Sequence, residues 1–238
     1  MKSLLEENKC RNRWYPKSVG TYKNNLNITN DNAENERIRC NFAYNMQYIE
    51  FLEKELSELH LSAVITTMIY KTYIITAMGI IESLFSYLLK EKRYWKTTCW
   101  EEIGELQTNS KFIDDEEFMI KNVLCKKGEV HTIRMDLDAM IKKVESKNLL
   151  NIEHNIFPAL KKLRELRNRV HLHIGERCND HDYNNFNWNE IVLARKILYT
   201  IITCPNFCKD INVYKFLKNK VERNEERERL INMVLHRN

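Results

Sequence analysis

The chain has 238 residues, 43% of them hydrophobic, and carries a net charge of +5 from 38 basic and 33 acidic side chains. That apolar fraction excludes an intrinsically disordered protein, and 5 glycines and 3 prolines are too few turn residues for a many-stranded sandwich or barrel, so an all-α helical bundle is expected. The dense, nearly balanced charge only permits an anionic partner, and recognition of nucleic acid has to be argued from a local site.

Residues 1–32 are rich in Asn, Lys and Tyr and are broken by Pro16 and Gly20, which predicts a loosely ordered N-terminal arm with Trp14 and Tyr15 as packing anchors. The start lacks an apolar signal-peptide core, and the most apolar stretch, from Leu61 to Leu89, is interrupted by Lys71, Gly79 and Glu82, so neither a signal peptide nor a membrane span is expected. Seven cysteines at irregular spacings leave one unpaired in any full disulfide framework, which favours reduced thiols and a cytoplasmic location.

A helical domain is expected over residues 33–208. From Ala33 to Leu61 the apolar positions Ile38, Phe42, Met46, Ile49, Leu52, Leu56 and Leu59 recur every three or four residues, the spacing of one amphipathic face. A second helix, capped by Ser62 and running to Lys92, is apolar nearly all round and should be the central one. Glu82 interrupts it, and a carboxylate among core residues must be paired, protonated or turned to a polar cavity; an ion pair is the ordinary solution.

Beyond Trp95 the pattern weakens. Trp100 to Leu106 reads as a short helix, and the runs 118–124 and 130–134 around Lys126-Lys127-Gly128-Glu129 read as a small β-hairpin insertion or as the end of a helix. Asp136 can cap a helix to about Lys147. The next, from about Ile152 to Val170, contains Pro158, which implies a kink or a true start near Phe157; Leu160, Leu163, Leu166 and Val170 would then face the core and Gly175 would mark its end. A polar loop over 176–189, a helix from about Asn189 to Thr203, and a charged C-terminal helix within residues 209–238 complete the chain.

The helix over 152–170 ends in Arg167-Asn168, followed by His171 and His173. An always-charged guanidinium can hold a phosphate through two parallel hydrogen bonds, and an imidazole titrates near neutrality, so these groups suit metal-free cleavage of RNA. Arg167-Asn168 with His173 resembles the signature of the HEPN superfamily, an Arg, a polar residue, a short interval and a His. The resemblance rests specifically on residues 167–173.

The resemblance implies an all-α bundle in which two protomers set their motifs at one shared cleft, and an activity that cuts RNA without metal or cofactor, often in toxins or antiphage effectors. On that basis one imidazole takes the 2′-hydroxyl proton and the alkoxide attacks phosphorus to leave a cyclic phosphate; Arg167 offsets the growing charge, and Asn168 orients Arg167 or the phosphate. The histidine stays ambiguous: four residues from Arg167 to His171 share a helical face, whereas the family interval falls on His173. Glu82 would support the site, and Lys162, Arg164 and Arg169, with Lys161, Lys126 and Lys127, would extend an RNA-binding surface. Tyr183, Phe186 and Trp188 are candidate base-stacking rings or plugs for the bundle end.

The expected partners are RNA, a second copy of the chain and an antitoxin or regulator, with no membrane. Against this stands a structural reading: cations gather at helix C-termini whatever the function, and a HEPN-like chain can serve as a non-catalytic RNA-binding or protein-interaction module. His171, His173, Cys178 and His181 also hold ligand types for a structural zinc, though at spacings of no familiar module, while Cys204 and Cys208 read as small buried thiols.

Overall fold

The computed structural model describes residues 14–170 and 181–235. Helices α2 (Ala33–Glu58) and α3 (Ala63–Glu91), joined by a four-residue turn, form its spine. Asn32 caps α2 by accepting from the Asn35 amide at 2.8 Å, and Ser62 caps α3 by accepting from Ile65 at 3.4 Å. On α2 the buried positions Phe42, Met46, Ile49 and Leu52 follow the expected stripe. Helix α3 is buried on nearly every side from Tyr73 to Leu89, because α2, α4 (Leu137–Ser146), α5 (Ile156–Arg167), α6 (Asp182–Asn185) and α7 (Trp188–Ile202) all pack on it. Each large apolar side chain so enclosed contributes roughly 1.5–3 kcal/mol. Among the described residues α3 is the one helix long and apolar enough to cross a membrane, and that composition is used here to fill the centre of the bundle.

The expectation of an all-α fold is corrected: about 60% of the described residues are helix and 15% are strand. Between α3 and α4 stands a long antiparallel ribbon of β1 (Thr97–Gln107) and β4 (Lys121–Thr132), with β2 (Lys111–Ile113) and β3 (Glu116–Phe118) at its tip. The stretch expected as a helix from Trp100 to Leu106 is therefore strand. Trp100, Ile103 and Leu106 fall three apart, an interval that imitates a helix, but the partner strand supplies Val123, Leu124 and Val130, and the ladder hydrogen bonds decide the outcome. Lys126-Lys127-Gly128-Glu129 is no turn either. Lys126 lies opposite Glu101 and Lys127 opposite Trp100, while the turn is Asp114-Asp115, with φ of 52° and 65°. Two positive φ values are what a two-residue type I′ hairpin turn demands, and Asp tolerates them better than most residues. Gly128 lies where the register shifts and the Glu101 carboxylate crosses within 2.6 Å of where a Cβ would stand.

Residues 14–32 are more ordered than expected. Ser18 caps the short helix α1 (Val19–Asn25), and Tyr22, Leu26 and Ile28 enter the core. The Tyr22 hydroxyl donates to Glu50 at 2.6 Å, and its ring stacks on Tyr214 with centroids 6.2 Å apart. Burial, then the Glu50 contact, raises the Tyr22 pKa far above the usual phenol range. Asn25 closes a reciprocal pair with Asp210, its Nδ2 donating to the Asp210 carbonyl at 3.0 Å and its Oδ1 accepting the Asp210 amide at 2.8 Å. The charged last helix, α8 (Lys215–Leu235), does not stand apart: Leu217 and Val221 bury it along α7.

Helices α2 and α7 are also joined by a buried ion pair. Arg195 donates from Nε and Nη2 to Glu53 at 2.6 and 3.0 Å, both side chains under 5% exposed, with the guanidinium 5.9 Å from the Tyr73 ring and 5.4 Å from that of Trp188. The fork geometry satisfies both carboxylate oxygens, which is what makes a charge tolerable at that depth.

Candidate functional site at the end of helix α5

Pro158 falls in the first turn of α5, where its missing amide is harmless, so the proline marks a helix start near Phe157 rather than a kink. Leu160, Leu163 and Leu166 are buried and fix the helix on α3. That leaves the basic side chains between the buried stripe and solvent, where each meets a carboxylate of a different helix. Lys161 donates to Glu145 of α4 at 2.6 Å, and Lys162 to Glu190 of α7 at 2.7 Å. Arg164 Nη1 lies 3.1 Å from Asp138 of α4, and Arg167 Nη2 donates to Glu82 of α3 at 2.7 Å. The Lys142 hydrogen bond, with Arg164 adding charge attraction, holds the Asp138 carboxyl below its ordinary range.

Arg167 and Glu82, each conspicuous in the sequence for a separate reason, are thus one ion pair. Both of its side chains are partly exposed, 36% and 30%, so solvent screens their attraction and either can exchange partners. Glu82 also lines an open groove of about 400 Å³, floored by Gly79, Ser83 and Ser86 on α3 and edged by Trp95 and Arg134 at the root of the ribbon. Small side chains on three successive turns of α3 leave this space open.

The α-helix stops at Arg167, and Asn168–Val170 form a single tighter turn in which Arg169 has φ −80° and ψ 18°. Asn168 is exposed beside the Arg167–Glu82 pair, and Arg169 is half-buried. The regular register that would stack Arg167 on His171 is therefore not continued through residues 168–170. His171, His173, Gly175 and Cys178 lie outside the described residues. The flanks of that segment are both fastened to α3, by Arg167–Glu82 on one side and by Lys71–Asp182 at 2.7 Å on the other. Lys71 and Glu82 are eleven residues apart, about 16 Å along the helix axis.

Of the proposed stacking rings, Phe186 is fully buried and plugs the bundle, Trp188 leans on Tyr70 with ring centroids 6.3 Å apart, and Tyr183 is half exposed beside His181. Lys126 and Lys127 lie out on the ribbon rather than beside the motif. Three of the four zinc-ligand candidates fall within 171–180, and among the described residues no three His, Cys, Asp or Glu side chains gather as a metal site. The five described cysteines are free thiols; burial pushes that of Cys204 up to about 11.

Beyond Glu82, sequence reasoning did not find the carboxylates that hold the α5 cations, Asp138, Glu145 and Glu190, nor the Glu53–Arg195 pair, since no local signal links residues this far apart. The depth of Glu53 alone could have been inferred, because it shares a stripe with Met46 and Ile49. Compared with protein-family models, with curated proteins and with solved structures, the chain finds no match.

Proposed function

We propose that the chain is a metal-independent endoribonuclease of HEPN type, acting as a homodimer in the cytoplasm, with Arg167, Asn168 and one of His171 and His173 at a cleft shared by two protomers. The observation that carries this reading is the placement of Arg167 at the end of α5, partly exposed and held, among the described residues, by the one carboxylate of Glu82, which itself lines an open groove. A guanidinium so placed can trade its one hydrogen bond to Glu82 for a phosphate, which accepts two parallel hydrogen bonds and carries more charge. Glu82 then acts as a place-holder that orients Arg167 before RNA arrives. The chemistry follows the 2′-hydroxyl route: the imidazole removes the proton, the 2′-oxygen attacks phosphorus, and the P–O5′ bond breaks to leave a 2′,3′-cyclic phosphate and a 5′-hydroxyl protonated by an imidazole of the second protomer, while Arg167 offsets charge on the non-bridging oxygens and Asn168 fixes the scissile group. Such an activity suits a toxin or antiphage effector restrained by an antitoxin or trigger.

The test is cleavage of labelled transfer and ribosomal RNA in excess EDTA. Native protein should leave cyclic-phosphate ends, Arg167→Ala should cut about 10²–10³-fold more slowly, and one of His171→Ala and His173→Ala should match that loss. Cutting shared equally by all three variants would end the assignment. A second reading, a non-catalytic RNA-binding or protein-interaction module, is favoured in its protein-interaction form by the exposed apolar side chains of the ribbon. RNA binding retained by every variant, with no cutting by any, would select the RNA-binding form of that reading.

A further inference from the structure

The turn that joins α2 to α3 and the first half of α8 line a cavity of about 280 Å³, with Trp188 and Arg195 of α7 also in its wall. That is the small end of the range for ligand pockets, roughly 300–1,000 Å³. Its lining has two characters. The part from α2, the turn and α3 is largely apolar, with Leu56, Leu59, Leu61 and Tyr70, and Trp188 extends it. The part from α8 is cationic: Lys220, Arg223 and Asn224 follow at intervals of three and four residues from Lys220, which sets them on one helix face, and Arg195 joins them from α7.

Those charges are not balanced from within. No Asp or Glu of the described residues lines the cavity. Glu53 gives both carboxylate oxygens to Arg195, and Glu58 is taken by Lys54. The described ion pairs of α8 are Lys196–Glu225 and Lys218–Glu222, which leave Lys220 and Arg223 without a carboxylate among the described residues. Lys220 is half-buried, and burial, against the pull of Glu53 and with repulsion from Arg195 and Arg223, holds its pKa below the ordinary lysine value. The side-chain nitrogen of Asn224 is buried with no acceptor among the described residues. A half-buried cation beside a guanidinium and an unanswered amide donor calls for a group that only accepts hydrogen bonds and carries negative charge. The rest of the lining tells what that group is attached to. It offers no carboxylate for the N–H donors of a nucleobase, which would be left unpaired, whereas its leucines and rings suit hydrocarbon.

We propose that this cavity binds a small carboxylic acid with a hydrocarbon body, its carboxylate between Lys220 and Arg223 and its body against Leu56, Leu59, Leu61 and Trp188. A bound acid ties α8 to the α2–α3 turn, so it stabilises the fold as it binds. The site is separate from Arg167 and stands or falls independently of the ribonuclease reading. The test is calorimetric titration of the full-length protein with sodium octanoate, which should bind one to one and raise the melting temperature. Acetate lacks the body and 1-octanol lacks the charge, and each should bind about tenfold or more weakly. Lys220→Gln should weaken octanoate about 10–100-fold, the worth of a charged hydrogen bond. Leu59 is exposed, so Leu59→Glu keeps the fold while setting a carboxylate in the cavity, and it should weaken octanoate and leave far-UV circular dichroism native. No binding of octanoate at millimolar concentration, or equal binding by native protein and both variants, would overturn the proposal. So would acetate or octanol matching octanoate, adenosine monophosphate binding more tightly than octanoate, or anionic phosphatidylglycerol vesicles binding where octanoate does not.

Discussion

The helical body and the β ribbon solve opposite problems with the same amino acids. In the body, apolar residues are enclosed around α3 and the surface cations of α5 are each taken up by a carboxylate from a neighbouring helix. In the ribbon, Trp, Ile, Leu and Val are left in solvent, and its carboxylates outnumber its cations. The difference teaches that the body is stabilised by packing between elements distant in sequence, while the ribbon, among the described residues, is held by its own strand ladder.

The sharpest way to break this contrast is to remove a large ring from each region. Phe85→Ala, in the middle of α3, should cost about 3–5 kcal/mol in denaturant unfolding, whereas Trp100→Ala on the ribbon should move body stability by less than about 0.5 kcal/mol. A large effect at Trp100 would mean that the ribbon is already supported from within. Arg195→Ala should also be severe, about 3–5 kcal/mol, because it strands the Glu53 carboxylate in the core. Joint replacement of Glu53 and Arg195 by Leu and Met should recover most of that loss, which separates the cost of an orphaned charge from the net value of the pair.

Smaller effects sharpen the picture at the boundary. Asp136 accepts from the Ala139 amide at 2.7 Å where the ribbon returns to the body, and Asp136→Ala should cost roughly 0.5–2 kcal/mol as a lost helix cap. Thiol chemistry gives the mildest probe. Cys125, exposed on β4, should be alkylated without any opening of the fold, while Cys204, buried and with its pKa raised to about 11, should react only as the body opens. Equal rates at pH 8 would contradict the burial assigned to Cys204.

The helices of the body were legible because their information is local. The stripe on α2, the Ser62 and Asp136 caps and Pro158 at the start of α5 all act within a turn of the residue concerned. The ribbon was legible only as a small hairpin insertion with its turn misplaced at residues 126–129, because its strands pair across as many as 35 residues and its turn uses Asp-Asp where a sequence reading looks for Gly. At the candidate site, Arg167 and Glu82 were each singled out, one for its motif and the other for its depth. Glu82 was expected to support the site, but its direct ion pair with Arg167 was not, since only the packing of α5 on α3 brings positions 85 apart in sequence within hydrogen-bonding distance.

The reciprocal bonds between Asn25 and Asp210 have a consequence for biosynthesis. They span 185 residues, so when α1 leaves the ribosome the segment that will cover Tyr22 and Leu26 has yet to be translated. Through most of synthesis those side chains remain open to chaperones and to other nascent chains, and the body is sealed only as residues 208–214 emerge. A ribosome stalled before that point would release a product with its first helix unlatched, exposing to proteolysis what the finished protein hides.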